Sequence, residues 1–114
     1  MSTLSTHVLD TSRGRPATGI HVALARVHDD GSAVSVGDGV TDADGRVRDL
    51  TVGAQTLSPG AYQLRFATGP YLASTGNVAF YPSVTVDFVI EEGDSHYHIP
   101  LLLSPFGYST YRGS

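Results

Sequence analysis

The chain has 114 residues, 40% of them hydrophobic and 16% charged, with a formal net charge of −4. That size and balance point to one packed globular domain over residues 1–114 and speak against a disordered or fibrous chain. The acidic balance excludes a nucleic-acid footprint, and the lack of any cysteine or lysine removes thiol, Schiff-base and P-loop chemistry.

In chain order, the opening MSTLSTHVLDTSRGRP has no apolar core behind a positive cluster, so it does not read as a secretory signal. No apolar run reaches the ~20 residues of a membrane helix, so a soluble, cytoplasmic protein with no membrane partner is expected. Thirteen Gly and six Pro punctuate short β-branched runs, the pattern of an all-β domain. Residues 4–10 read as a first strand, with Leu4, Thr6 and Val8 on one face and Ser5, His7 and Leu9 on the other. Residues 13–19 must turn or loop. Strands are predicted over 20–28 and, after Asp29-Asp30-Gly31, over 33–41. The turn Asp42-Ala43-Asp44-Gly45 precedes a short strand over 46–50. Residues 61–68 form the next strand, with Tyr62, Leu64 and Phe66 on one face. The one predicted helix spans 70–76, with Pro70 in its first turn and Gly76 where a C-cap falls. Strands follow over 83–90, 96–103 and 108–112, and the spacing of the whole set suggests a sandwich of two sheets.

The outward faces carry the chemistry. Alternation turns His7 away from the core, and it places His96 and His98 on the face opposite Tyr97, Ile99, Leu101 and Leu103. In the last strand Ser109 and Tyr111 share one side, while Tyr108, Thr110 and Arg112 take the other. These groups converge if the strands belong to one sheet. Taken singly, a strand histidine is more often a surface residue than a catalyst. His96 and His98 stand at the spacing of a metal pair, but no third ligand stands at a motif spacing, and no metal site is assigned. Asp42-Ala43-Asp44-Gly45 resembles the start of a calcium loop without the glutamate expected at its twelfth position. Arg46 reads by itself as a solvated turn residue, and Tyr71 and Tyr81 as packing residues.

Four segments resemble the 5-hydroxyisourate hydrolases, the transthyretin-related proteins. They are LSTHVLDTSRGRPA (4–17), TDADGRV (41–47), FYPSV (80–84) and HYHIPLLLSPFGYSTYRGS (96–114), in order along the chain. The terminal Tyr111-Arg112-Gly113-Ser114 is the most specific part, since thyroid-hormone carriers of the same fold are expected to end differently. The resemblance implies a transthyretin-like β-sandwich of two four-stranded sheets with one short helix, assembled as a homotetramer whose active sites draw on neighbouring subunits. It also implies cofactor-free hydrolysis of 5-hydroxyisourate to 2-oxo-4-hydroxy-4-carboxy-5-ureidoimidazoline, a step of urate breakdown. Carried over by motif, His7, Arg46 and His98 are the catalytic residues. His7 and Arg46 also bind substrate, together with Ser109, Tyr111, Arg112 and Ser114. In this scheme His7 and His98 orient and deprotonate water, Arg46 grips the polar ring edge, and Tyr111 closes the pocket. The rival readings are a carrier that holds an aromatic ligand without chemistry, and a structural sandwich of the fibronectin or adhesin kind.

Overall fold

The computed structural model describes residues 2–51, 57–93 and 95–113. The elements in order are β1 (Thr3–Asp10), β2 (Arg15–Pro16), β3 (His21–Val27), β4 (Ala33–Val40), β5 (Arg46–Val47), β6 (Gly60–Phe66), α1 (Thr68–Ser74), β7 (Val84–Ile90), β8 (His96–Ser104) and β9 (Gly107–Thr110). One sheet runs β2-β1-β8-β9, with β5 also paired to β1; the other runs β4-β3-β6-β7. Period-two alternation puts Leu4 and Val8 of β1 and Leu101 and Leu103 of β8 against Val22 and Leu24 of β3 and Leu64 and Phe66 of β6, all fully buried. Each such side chain contributes about 2 kcal/mol of hydrophobic stabilisation. The β-sandwich with one short helix is the expected fold class. Among the described residues, no helix is long and apolar enough to cross a membrane.

Departures from the sequence reading have local causes. β2 lies inside the predicted loop: the Asp10 carboxylate accepts the backbone N–H groups of Ser12 and Arg13 at 3.1 and 3.2 Å, and the chain turns back so that Arg15 pairs with Asp10 and Pro16 with Leu9. β5 stops at Val47, three residues short of its predicted end, although the Leu50 N–H still donates to the Leu4 carbonyl at 2.9 Å. The helix begins two residues earlier than predicted, because Thr68 and Gly69 donate to the Tyr81 and Pro82 carbonyls at 2.7 and 2.9 Å. It ends in a Schellman arrangement, with the Gly76 N–H on the Ala73 carbonyl, the Asn77 N–H on the Leu72 carbonyl, and Gly76 at φ 80°.

β9 also stops early, at Thr110, two residues short of the predicted end. Its next partner on β8 is Pro100, which has no N–H to donate, and the Thr110 hydroxyl takes the Pro100 carbonyl at 2.7 Å. The ladder resumes in the same register three residues on, where the Gly113 N–H donates to the His98 carbonyl at 2.7 Å.

Asp10 ties the helix to β1. Its buried carboxylate accepts the Tyr71 hydroxyl at 2.7 Å as well as the Ser12 hydroxyl and the backbone donors above. Burial alone would raise its pKa, but these hydrogen bonds from Tyr71, Ser12 and Arg13 outweigh it and hold the carboxyl below its ordinary value. The stability it contributes is therefore present above the unfolded carboxyl pKa and is lost as pH falls through the lower folded value. Asp10→Ala, which leaves the Tyr71 hydroxyl without its buried acceptor, is expected to destabilise the fold by about 3 kcal/mol. Urea unfolding at neutral pH measures this, and a loss under about 1 kcal/mol would mean that the network is dispensable.

Candidate active site

The site begins at the Asp42–Gly45 turn. The Asp42 carboxylate accepts the backbone N–H groups of Asp44 and Arg46, both at 2.9 Å, so it caps a tight turn. Gly45 completes the turn at φ 75°, and a Cβ there would fall 2.5 Å from the Val8 carbonyl oxygen. The turn lays Arg46 directly opposite His7 on β1, on the same face of the sheet.

On the other side of β1 runs β8, in parallel, with Ser5 opposite His98 and His7 opposite Pro100. Residues opposite one another share a face, so Thr3, Ser5, His7, Arg46, His96 and His98 all stand on the outer side of one sheet. The outward placement read from the sequence holds for all three histidines.

Ser5 joins two of them. Its hydroxyl lies 2.8 Å from His96 Nε2 and 2.8 Å from His98 Nδ1, while the Thr3 hydroxyl bonds His96 Nδ1. With Nδ1 engaged, Nε2 is the nitrogen of His98 left to meet a ligand. Burial pushes the His98 pKa below its ordinary value, and the charges of Arg46, His7 and His96 push it in the same direction. His98 is thus held as a neutral imidazole, the form that accepts a proton.

A cavity of about 270 Å³ opens at this place, lined by Ser5, Thr6, Arg46, Arg48, His96 and His98. It presents two guanidinium groups and two imidazoles and no carboxylate, an arrangement that can bind a polar, electron-rich ring and stabilise negative charge developing on it. Among the described residues, no three His, Cys, Asp or Glu side chains cluster as a metal site, and His96 and His98 aim one nitrogen each at the same serine hydroxyl.

The C-terminal tail reaches the site through Gly113, where a Cβ would lie 2.6 Å from His98 Cδ2. Only glycine can approach that ring so closely. Ser109 is exposed and stands opposite Leu102, hence on the His98 face of the sheet. Tyr111 and Arg112 sit elsewhere in this chain. They line a second cavity, of about 240 Å³, with Val86, Phe88, Val89, Tyr97, Ile99 and Thr110 at the open edge between the sheets. There the Arg112 guanidinium stacks on the Tyr97 ring at 4.4 Å. The interruption at Pro100 releases the tail from strict alternation, so Tyr111 does not follow Ser109. Ser114 lies outside the described residues.

Thus the structure brings His7, Arg46 and His98 onto one surface beside one cavity and places Tyr111 and Arg112 away from it. Two site residues were not visible in the sequence as such. Ser5 was assigned to the His7 face, but its role depends on the pairing of β1 with β8. Arg48 has the signal of sharing a face with Arg46 two residues away, and it reaches toward Asp44 at 3.8 Å across open solvent.

Comparison with known proteins finds relatives along nearly the whole chain. The chain is 44% identical over 111 residues to the 5-hydroxyisourate hydrolase of Salmonella dublin, covering 97% of this chain and 80% of the relative. It superposes on a solved 5-hydroxyisourate hydrolase of Klebsiella pneumoniae with a TM-score of 0.85 at 42% identity, with both chains covered completely. Sea bream transthyretin in complex with thyroxine superposes with the same TM-score of 0.85 at 32% identity, over 96% of this chain and 93% of that one. The profile of the HIUase/Transthyretin family matches residues 4–113, and the chain belongs to that family.

Proposed function

We propose that the protein is a 5-hydroxyisourate hydrolase that opens its substrate's cyclic amide to give 2-oxo-4-hydroxy-4-carboxy-5-ureidoimidazoline. The fold cannot choose between hydrolase and carrier, since a solved member of each kind superposes equally well. The site supports the hydrolase: a neutral His98 beside Arg46 in the cavity, with His7 on the same face of the sheet, suits amide hydrolysis and is not what a carrier of aromatic ligands needs. Water, activated by His98 with His7 orienting it, attacks the ring carbonyl. Arg46 counters the charge that develops on the oxygen, and its rigid fork also holds the ring edge. No step calls for a cofactor. The decisive experiment is the ultraviolet decay of freshly generated urate oxidase product with purified protein, with and without a chelator. Decay no faster than the spontaneous rate sinks the hydrolase reading and leaves a binding protein.

The proposal extends to assembly. β7 and β9 are each an edge strand of their sheet, and residues of both line the second cavity. They carry exposed Val89 and Tyr108, with exposed Phe80 and Phe106 nearby in an aromatic cluster. Unpaired apolar edges favour strand-to-strand pairing between copies, which fits a homotetramer built as a dimer of dimers. In that assembly Tyr111, Arg112, Ser109 and Ser114 contribute to substrate binding from the tail, those facing away from their own His98 serving a neighbouring subunit. The residues act together as a single domain.

Two results are expected. The kcat–pH profile should rise with a midpoint below 6.5, because burial and Arg46 disfavour the charged imidazole and keep His98 neutral down to lower pH. A midpoint above 6.5 contradicts the assignment. Gly113→Ala adds a methyl group where 2.6 Å is available, displacing the His98 ring or the tail. Turnover should fall about tenfold or more with little change in Tm, and an unaffected rate would show that the close approach is incidental.

A further inference from the structure

We propose that Ser5 and His96 form a positioning relay behind His98, which moves the positive charge of catalysis from the half-buried imidazole to the exposed one. The proposal rests on the hydrolase reading of His98 as base. Its foundation is geometric: one hydroxyl stands 2.8 Å from a nitrogen of each ring, and a second hydroxyl, of Thr3, holds the far nitrogen of His96. A serine hydroxyl has one proton, so it donates to one of these rings and accepts from the other. When it donates to His96, it accepts the Nδ1 proton of His98, and His98 Nε2 then presents its lone pair to the cavity. The relay therefore selects the tautomer that can take a proton from water.

The surroundings supply the driving force. The charged and titratable groups around His98 are Arg46 from β5, Arg48 just beyond that strand, His7 from β1 and His96 from its own strand, with no carboxylate in the cavity lining. A cation on His98 is therefore both desolvated and repelled. His96 is exposed, and water solvates its charge. As a water O–H bond breaks and a His98 Nε2–H bond forms, the Nδ1 proton passes to Ser5 Oγ, and the Ser5 proton passes to His96 Nε2. His98 remains neutral throughout. Reversal of the same shifts returns the proton through Nε2 to the departing ring nitrogen, so no proton is gained or lost by the protein.

The test compares Ser5→Ala, Ser5→Thr and His96→Gln with the unmodified protein, using single-turnover rates of 5-hydroxyisourate decay in mixtures of light and heavy water. Gln keeps a hydrogen-bond partner for Ser5 but cannot accept a proton. Ser5→Ala and His96→Gln should each slow the single-turnover rate about tenfold, with KM within about twofold. The dependence of rate on deuterium fraction should change from bowed, for several protons in motion, to linear, and Ser5→Thr should keep the bowed form. Wild-type rates and a bowed plot in both Ser5→Ala and His96→Gln would overturn the relay. If Ser5→Ala does not fold, His96→Gln, at an exposed position, carries the test alone. An active His98→Asn variant would instead remove the base reading beneath it, so the two failures are distinguishable.

Discussion

His98→Asn is expected to lower turnover of 5-hydroxyisourate about a thousandfold while the protein stays folded. Asn matches the imidazole in approximate size and can still hydrogen-bond the Ser5 hydroxyl, which lies 2.8 Å from His98 Nδ1. It cannot take a proton at neutral pH, so the change isolates the proton-accepting role from the packing role. His98 is only half-buried and on the outer side of its sheet, so the core of Leu4, Val8, Leu101 and Leu103 is untouched. Tm should therefore shift by no more than a few degrees, whereas the stopped-flow ultraviolet trace should approach spontaneous decay. If the variant keeps more than about a tenth of the rate, proton transfer belongs to another group, with His7 the first to examine.

Arg46→Lys should cost about a hundredfold in kcat/KM although the positive charge is retained. The Asp42–Gly45 turn delivers Arg46 opposite His7, where a planar fork can span two acceptors of a heterocyclic ring. A lysine ammonium is a single strongly hydrated point, and it meets one acceptor at a time. Loss divided between KM and kcat is expected, since in the proposed mechanism the same group binds the ground state and counters the later charge. A KM effect with kcat unchanged would restrict Arg46 to binding. An unchanged kcat/KM would exclude it from the site.

Much of this arrangement was legible in the residues. Alternation alone placed the long strands, because half-buried sheets impose period two on their side chains and the core demands Leu, Val and Phe on one side. It also turned His7, His96 and His98 outward. What it could not supply was pairing. Arg15–Pro16 has no periodicity of its own and becomes a strand only because Asp10 turns the chain back onto β1. The parallel register of β1 with β8 joins residues far apart in sequence, so Ser5 looked like any small polar strand residue until it was found between two imidazoles. Tyr111 departed from the face assigned with Ser109 because one proline on the neighbouring strand, Pro100, breaks the ladder between them.

The pairing of β1 with β8 has a consequence for biosynthesis. Ser5 and His98 are separated by 93 positions in the chain, yet they share one hydrogen bond at the heart of the cavity. A ribosome emitting this polypeptide from its first residue therefore exposes β1 long before its parallel partner exists, with Leu4 and Val8 unsheltered in the interval. Nascent chains that stall before β8 carry neither His96 nor His98, nor the glycine that rests on the His98 ring. Such fragments would leave Leu4 and Val8 without their β8 partners, the kind of exposed apolar surface on which proteolysis of incompletely folded chains acts.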